Sequence, residues 1–397
     1  MRIDKYLTST PPPRGLFARP SLALAFRPFF LVAGLMAALW LPLWLVIHLA
    51  GLRLPLAVEP TLWHAHELVF GFASAVLAGF LLTAARNWTK RPTPSGGPLA
   101  ALVAVWLAGR VVMLVGAELP PLVVALVDLA FLPLVALALA RPLLAARDRR
   151  NYAFAALLLV LAGIGALFHA GDAMTARLTM TASVSLVVVF LVVMGGRVIP
   201  FFTRNACPDA RVRTPAWLAW TAAITTGALV PGQLWLHGPV VDVVAIVAGL
   251  ANLARLALWD TRKTLGNPLL WVLHAGYAFI GVGLVMQGLA PLAPDVFGTA
   301  PTHALTVGAL GTLVLGMMAR VSLGHTGRPL AAPRPVALAF GLVLLAALLR
   351  VVPPLISPDL YVPALVASGS VFALAFGIFV AVYAPILTRP RVDGAPG

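Results

Sequence analysis

Long apolar segments alternate with short polar connections along almost the whole chain. Each segment is about 20 residues long, which is the length a helix needs to cross a bilayer. The segments lie at 28–50, 62–84, 98–117, 120–141, 151–170, 176–200, 215–232, 237–258, 268–290, 301–321, 332–352 and 362–387. The pattern predicts an all-α fold, a polytopic membrane bundle of about twelve transmembrane helices.

The composition agrees with this pattern and excludes several classes of protein. Hydrophobic residues make up 61% of the 397 residues, charged residues 10%, and the mean hydropathy is +0.97. Soluble domains are roughly 45–50% apolar and about 25% charged, so water-soluble enzymes, secreted scaffolds and nucleic-acid binders are excluded. The single cysteine, Cys207, excludes a disulfide framework and a cysteine-ligated iron-sulfur cluster. A bound metal must therefore depend on the eight histidines.

The basic residues predict the orientation. Of the 28 lysines and arginines, 24 fall in the loops and termini of one side. The exceptions are Arg53, Arg110, Arg177 and Arg350. Short cytoplasmic loops retain positive charge, so both termini are expected in the cytoplasm and the net charge of +15 reflects topology. We expect a cytoplasmic N-terminal segment at 1–27, a single transmembrane domain at 28–387 and a cytoplasmic tail at 388–397.

Polar side chains inside a bilayer are costly and are candidates for function. With this topology, His64, His66 and Glu67 lie in the first turns of helix 2, and His169 and His303 lie at outer helix ends. The two cytoplasmic histidines are His274, in helix 9, and His325, after helix 10. We expect His48 and His237 to be wetted at helix ends. Asp128, Asp242 and Arg110 lie toward the outer leaflet, where mutual charge pairing is the simplest explanation.

Helix 2 and helix 10 carry a matching pattern. His66 precedes Gly71 by five residues and Gly79 by thirteen, and His303 precedes Gly308 and Gly316 by the same intervals. Imidazole is a common axial ligand of haem iron, and glycine leaves room for a flat ligand or a neighbouring backbone. His66 and His303 are therefore candidates to hold one haem b; the alternative is that glycine is simply common in packed membrane helices.

A second outer site is also indicated. His64 and His66 are two residues apart, about 200° around a helix, so both cannot face one metal. We expect His64, with Glu67 or His169, to form or border a separate site. Imidazoles with a carboxylate suit copper, iron or zinc.

Arginines near the cytoplasmic helix ends form a further set. They belong to unusual segments that combine arginine with an aromatic residue or a turn, and they are Arg27, Arg86, Arg197 and Arg320. Arginine can bind carboxylates such as haem propionates, or lipid phosphates, although positive-inside anchoring also explains any one of them. His274 and His325 could ligate iron or copper there; alternatively, His274 hydrogen-bonds within the bundle and His325 lies in water.

The segments that carry these residues resemble the NnrS family of bacterial inner-membrane proteins. They are FRPFF from Phe26, WHAHELVFGF from Trp63, AARNWT from Ala84, MGGRVIPFFTRN from Met194 and ARVSLGHTGRP from Ala319. The resemblance covers residues 26–334 by motif and the remainder by span count. It implies a haem- and copper-containing protein of denitrification and the nitric oxide response, with nitric oxide or another small diatomic as its partner. The resemblance supplies no reaction and no ligand map.

Three classes of function follow. The first is a haem-based protein that protects cells against nitric oxide in the bacterial inner membrane. The second is a quinol-linked redox enzyme resembling a respiratory oxidase, which needs a haem with an open position near a second metal. The third is a transporter of a metal or an anion, which twelve helices and buried charges also permit.

Overall fold

Consecutive helices run back and forth to form the bundle in the computed structural model, which describes residue 15 and the ranges 19–236 and 238–395. The helices are α1 Phe26–Ala50, α2 Pro60–Thr89, α3 Gly97–Val115, α4 Pro121–Ala145, α5 Tyr152–Ala170, α6 Ala173–Ala206, α7 Ala216–Pro231, α8 Pro239–Ala257, α9 Pro268–Leu289, α10 Ala300–His325, α11 Arg334–Ile356 and α12 Tyr361–Thr388. No β-strand occurs within these described ranges.

Short helical turns fill several connections between the long helices. They lie at Pro20–Leu22, Gly116–Glu118, Arg149–Asn151, Thr261–Thr264, Ala290–Leu292, Pro294–Phe297 and Pro358–Leu360. With so little chain between spans, sequential helices pack as neighbours.

The prediction of an all-α polytopic bundle is confirmed. Eleven helices in the described part of the chain are long and apolar enough to cross a membrane. The remaining predicted span corresponds to α7, which has 16 residues and continues into a π-helical turn at Gly232–Leu236. Together they are long enough to reach about 30 Å. Most of the predicted segment 1–27, and the predicted wetted residue His237, lie outside the described residues.

Four helices form the centre of the bundle. The hydrophobic windows of α2 and α10 are 78% buried, and those of α6 and α9 are 67% buried. The hydrophobic windows of the outer helices α3, α4, α5, α8 and α12 are each at most 39% buried. These helices present leucine and valine outward. A helix that is apolar all round and enclosed by others is the expected core of a membrane bundle. Several polar groups on α2 and α10 are therefore buried, among them His66, Glu67 and Thr312.

The two most buried helices, α2 and α10, are each interrupted by a π-helical turn directly after a histidine. In α2 the turn is Glu67–Ala73 and follows His66; in α10 it is Ala304–Gly311 and follows His303. A π turn adds one residue to a turn and is frequent at functional sites. The carbonyl group of Gly71 accepts a hydrogen bond from Trp106 Nε1 at 3.0 Å and one from the Ser74 hydroxyl at 3.1 Å. The matched sequence pattern of the two helices therefore corresponds to a matched backbone distortion.

The glycines of that pattern make room for protein side chains. A Cβ at Gly71 would lie 2.9 Å from Arg110 Nη1, and one at Gly79 would lie 3.0 Å from the Phe29 side chain. In α10, a Cβ at Gly308 would collide with the ring of Phe279 and one at Gly316 with Val272. In this structure the space beside each glycine is thus filled by a neighbouring helix.

Glycine also allows α8 and α9 to approach backbone to backbone. A Cβ at Gly249 would lie 2.7 Å from the carbonyl oxygen of Gly281, and a Cβ at Gly281 would lie 3.0 Å from that of Gly249. Small residues at such contacts are typical of membrane helix pairs.

We expect Gly249→Ala to lower the thermal midpoint of the protein in detergent, because the added methyl group meets a backbone atom that cannot rotate away. Overpacking of this kind costs about 1–3 kcal/mol. Gly163→Ala is the matched control, since that position in α5 has nothing within 4 Å of the new methyl group. Equal midpoints for the two variants would refute the close contact between α8 and α9.

Candidate metal centre

A cluster of buried charged side chains lies near the end of the bundle at which α2 and α10 begin. We call this end the histidine end, because His64, His66, His169 and His303 lie there. The cluster joins His66 and Glu67 of α2, Arg110 of α3, Asp128 of α4 and His169 of α5, and we call these five residues the charge cluster. Its members come from four helices, so only the folded bundle assembles it.

Arg110 connects the two carboxylates of the charge cluster. Its Nη1 donates to Glu67 Oε1 at 2.5 Å, and its Nη2 donates to Asp128 Oδ1. The second oxygen of Glu67 accepts a hydrogen bond from Trp40 Nε1 at 3.0 Å. Glu67 is 1% exposed and Asp128 is 7% exposed, so water contributes little to their solvation. The expected pairing of Arg110 with Asp128 is therefore present, whereas Asp242 forms no ion pair among the described residues.

Two imidazoles approach the other oxygen of Asp128. His169 Nε2 lies 2.9 Å from Asp128 Oδ2, and His66 Nε2 lies 3.0 Å from the same atom. The three potential ligand atoms of His66, Asp128 and His169 all lie within 4.8 Å of one another. Although His66 Nε2 is close to Oδ2, it makes no aligned hydrogen bond in the described part of the chain. That nitrogen is buried, polar and available to a ligand.

Aromatic rings hold His66 in this orientation. Its ring stacks on Phe70 with a centroid distance of 4.8 Å and lies 4.9 Å from Phe168. His66 Nδ1 faces Glu67 Oε1 at 3.4 Å. A metal-binding histidine commonly has its second nitrogen directed at a carboxylate, which fixes the ring and raises its basicity. His66 has both of these features.

His64 faces a different space. It stacks on Trp44 with a centroid distance of 4.1 Å and lines a cavity of about 180 Å³ between α1, α2, α10, α11 and α12. His303 lines the same cavity. Its Nδ1 lies 2.8 Å from the carbonyl oxygen of Thr299, which can only accept, so Nδ1 carries the proton and the Nε2 of the neutral ring has a free lone pair. We call this space the His64/His303 cavity.

The outer residues are therefore grouped differently in the structure than the sequence predicts. His303 shares a cavity with His64, whereas His66 contacts Glu67, Asp128 and His169. His64 and His66 face different spaces, as their angle of about 200° on the helix predicts. Their partners are exchanged relative to the prediction, because His64 lies with His303 and His66 lies with Glu67 and His169. The predicted pairing of His66 with His303 and the predicted grouping of His64 with Glu67 and His169 are not formed here.

At the opposite end, His274 is held by two threonines. The Thr203 hydroxyl lies 2.9 Å from Nε2 and the Thr261 hydroxyl lies 2.9 Å from Nδ1. Both ring nitrogens are thus occupied within the bundle, as the alternative reading of this residue predicted. His325 instead packs against Phe26, with 5.5 Å between ring centroids. The structure does not join His274 and His325 in one site.

The four predicted cytoplasmic-end arginines do not all share one set of neighbours. Arg27 is buried and donates to the carbonyl groups of Leu387 and Arg389, at the end of α12. Arg197 donates to Asn151 Oδ1 at 2.8 Å, and the guanidinium of Arg320 lies 4.0 Å above the ring of Phe202. Arg86 is half-buried near the end of α2. Arg27 and Arg86 both lie near enough to His325 to act on it electrostatically, whereas Arg197 and Arg320 have other neighbours.

The C-terminal residues are fastened to the same end. Arg391 Nη1 donates to the backbone carbonyl of His325 at 2.9 Å, and its Nε donates to Asp393 Oδ1 at 2.9 Å. The Arg391 guanidinium holds the pKa of Asp393 at about 2.

At the histidine end, the carboxylate of Asp172 accepts a hydrogen bond from the Thr175 backbone N–H at the start of α6, which lowers the pKa of Asp172.

Asp128 is a candidate ligand that the sequence alone does not reveal. Asp128 was recognised only as a partner for Arg110, since its position in helix 4 gives no indication that His66 and His169 approach it. The available signal was the occurrence of two carboxylates, Glu67 and Asp128, with only one arginine on the neighbouring spans. That imbalance leaves a negative charge to be neutralised by something else.

We expect Arg110→Gln to destabilise the protein strongly, because two buried carboxylates would then face each other without a cation. Removing one partner of a buried ion pair costs about 3–5 kcal/mol. The double variant Arg110→Gln, Asp128→Asn restores the original net charge and should regain part of the thermal midpoint in detergent.

Arg177→Gln is the control, since Arg177 is exposed at the start of α6. If Arg110→Gln and Arg177→Gln had the same midpoint, the charge cluster would not be contributing to stability.

The chain matches the model of a known protein family. The model of the NnrS protein family matches residues 20–391, which is nearly the whole chain. No curated protein matches the chain in sequence. The match includes every residue of the charge cluster and of the His64/His303 cavity. The chain therefore belongs to the NnrS family of membrane proteins.

Proposed function

We propose that this protein binds a metal ion in the charge cluster and a haem in the His64/His303 cavity, and that it handles nitric oxide at the bacterial inner membrane. Membership of the NnrS family links the chain to the nitric oxide response, and its apolar helices make it a multi-pass membrane protein. The observation that carries the proposal is the unbalanced charge of the cluster, in which two buried carboxylates face one arginine.

The charge balance favours a cation beside His66. Glu67 and Asp128 together carry two negative charges and Arg110 one positive charge, so neutral imidazoles leave a net negative charge inside the bundle. Burying an uncompensated charge is unfavourable. Either a protonated histidine or a metal ion at the three ligand atoms removes this cost. A metal ion also uses the free Nε2 of His66.

The donor set narrows the choice of metal. Two imidazole nitrogens and one carboxylate oxygen suit iron(II), copper(II) or zinc. The two family-implied metals, copper and iron, are among them. Glu67 and Arg110 lie behind the ligands and orient them, as the outer partners of metal ligands commonly do. His169 is the most exposed member, with 10% of its side chain accessible, so an ion can reach the site past this residue from the histidine end.

The His64/His303 cavity fits a haem by the chemistry of its walls. Imidazoles approach from α2 and α10, and Phe72, Phe372 and Trp44 line the space with apolar surface. Thr299 fixes the tautomer of His303 that presents a lone pair on Nε2. When bound, haem would supply a redox-active iron centre, which a diatomic gas would reach only by replacing one of the two imidazoles. The contribution of this chain is to hold both imidazoles and to exclude water.

A second, apolar cavity also supports a gaseous ligand. This cavity of about 70 Å³ lies between α1, α2, α6, α9 and α10, and its lining is almost wholly apolar. Leu310 lines both this cavity and the His64/His303 cavity. Small uncharged gases partition into apolar surroundings, whereas ions do not. An apolar space beside the His64/His303 cavity therefore favours nitric oxide over a hydrophilic substrate.

The metal site is tested by His66→Ala, His169→Ala in purified protein. We expect the double variant to lose close to one equivalent of copper or iron by elemental analysis, because two of three ligands are removed. His48→Ala is the matched control, since His48 is an exposed histidine at the same end that contacts Trp44. Full metal content in the double variant would contradict the site.

The haem site is tested by His64→Ala and His303→Ala separately. We expect each variant to remove the Soret band or to shift it, because one of the two imidazoles proposed to hold the haem is lost. His325→Ala, at the opposite end, should leave the spectrum unchanged.

If only His325→Ala changed the spectrum, the haem would lie at the opposite end. Absence of a Soret band in the unmodified protein, even after reconstitution with haem, would instead favour a transporter.

A further inference from the structure

Arg350 is a buried cation without an anionic partner. It lies near the end of α11, is 4% exposed, and lines the His64/His303 cavity. Its Nη2 donates to the hydroxyl groups of Thr299 and Tyr361, both at 3.2 Å, and its guanidinium lies 4.9 Å above the Tyr361 ring. Its Nε and Nη1 are buried and have no hydrogen-bond partner in the described part of the chain.

Arg110 has anionic partners of a kind that Arg350 lacks. Arg110 contacts two carboxylates, Glu67 and Asp128. Arg350 contacts none, since no aspartate or glutamate of the described residues lies within ion-pair distance of it. A guanidinium stays charged under all ordinary conditions. A permanent charge at this depth needs a counter-ion, and the cavity that Arg350 lines is a neighbouring space that could hold one.

The other polar groups of the cavity do not neutralise Arg350. The hydroxyl groups of Thr306 and Ser368 donate to the backbone carbonyls of Thr302 and Ala346. His64 and His303 present ring nitrogens, which carry no negative charge. The cavity therefore combines one unsatisfied cation with walls that carry no negative charge.

We propose that Arg350 binds a monovalent oxyanion or carboxylate group inside the His64/His303 cavity. A planar guanidinium with adjacent N–H groups matches two oxygens of one such group. The anion could come from either of two sources: a propionate of a haem bound in the cavity, or a free small anion from solution. The first source rests on the proposed haem, whereas the second does not.

The free-anion source is tested on haem-free protein in detergent. Sodium formate and sodium nitrate are titrated at constant ionic strength against sodium gluconate, whose many hydroxyl groups suit it poorly to a largely apolar cavity. We expect formate or nitrate to raise the thermal midpoint of the unmodified protein in a saturable manner. Arg350→Gln should abolish this rise, and Arg53→Gln, at an exposed arginine of the same end, should retain it.

The propionate source is tested by reconstitution with haem and with its dimethyl ester, in which both carboxylates are blocked. We expect the unmodified protein to bind haem at least tenfold more tightly than the ester. Arg350→Gln should bind the two alike and keep the Soret position set by the histidines. Failure of both compounds to bind, with a positive formate titration, would reject the proposed haem and leave the anion site intact.

A third measurement distinguishes anion binding by Arg350 from a purely structural role of this residue. Without anion or haem, Arg350→Gln should unfold at the same temperature as the unmodified protein or above it, because an unpaired buried charge has been removed. A clear fall in that midpoint would show that Arg350 serves only its contacts to Thr299 and Tyr361, and would overturn the proposal. The absence of both the anion response and the ester discrimination would overturn it as well.

Discussion

The structure depends on the neutralisation of charge inside an apolar bundle. Glu67 and Asp128 are buried near one end of the helices and share one arginine, Arg110. In lipid such groups are costly unless each has a partner, so the positions of α2, α3, α4 and α5 are fixed by the need to keep these side chains in contact. The remaining negative charge makes His66 and His169 candidates for metal ligands, because a bound cation would complete the balance.

The same physical rule separates two sites that are close in sequence. His64 and His66 point to opposite sides of α2, so the first faces a cavity and the second faces the charge cluster. The cluster carries excess negative charge, whereas the cavity carries an unpaired positive charge on Arg350. We infer that one site takes a metal cation and the other takes the iron and carboxylate of a haem, or an anion. The π-helical turns after His66 and His303 shape the central helices that line these spaces.

Much of the fold was predictable because hydropathy alone determines which segments enter a bilayer. The spans, the pairing of Arg110 with Asp128 and the separation of His64 from His66 followed from composition, charge and helical angle. The partner of each histidine did not, because Asp128 and His169 are far from His66 in the sequence and meet it only through helix packing. The parallel between helix 2 and helix 10 was visible in the sequence, but its structural meaning, a π turn after each histidine, was not. His274 could not be distinguished from a ligand until Thr203 and Thr261 were placed beside it.

The most direct test of a metal ion in the charge cluster is pulsed electron paramagnetic resonance of the protein loaded with one equivalent of copper(II). The account predicts nuclear modulation from two coordinated imidazoles, because His66 and His169 would both be ligands. It also predicts loss of one imidazole contribution in His169→Ala, with no change in His48→Ala. A spectrum without imidazole coordination, or one that His169→Ala leaves unaltered, would contradict the account.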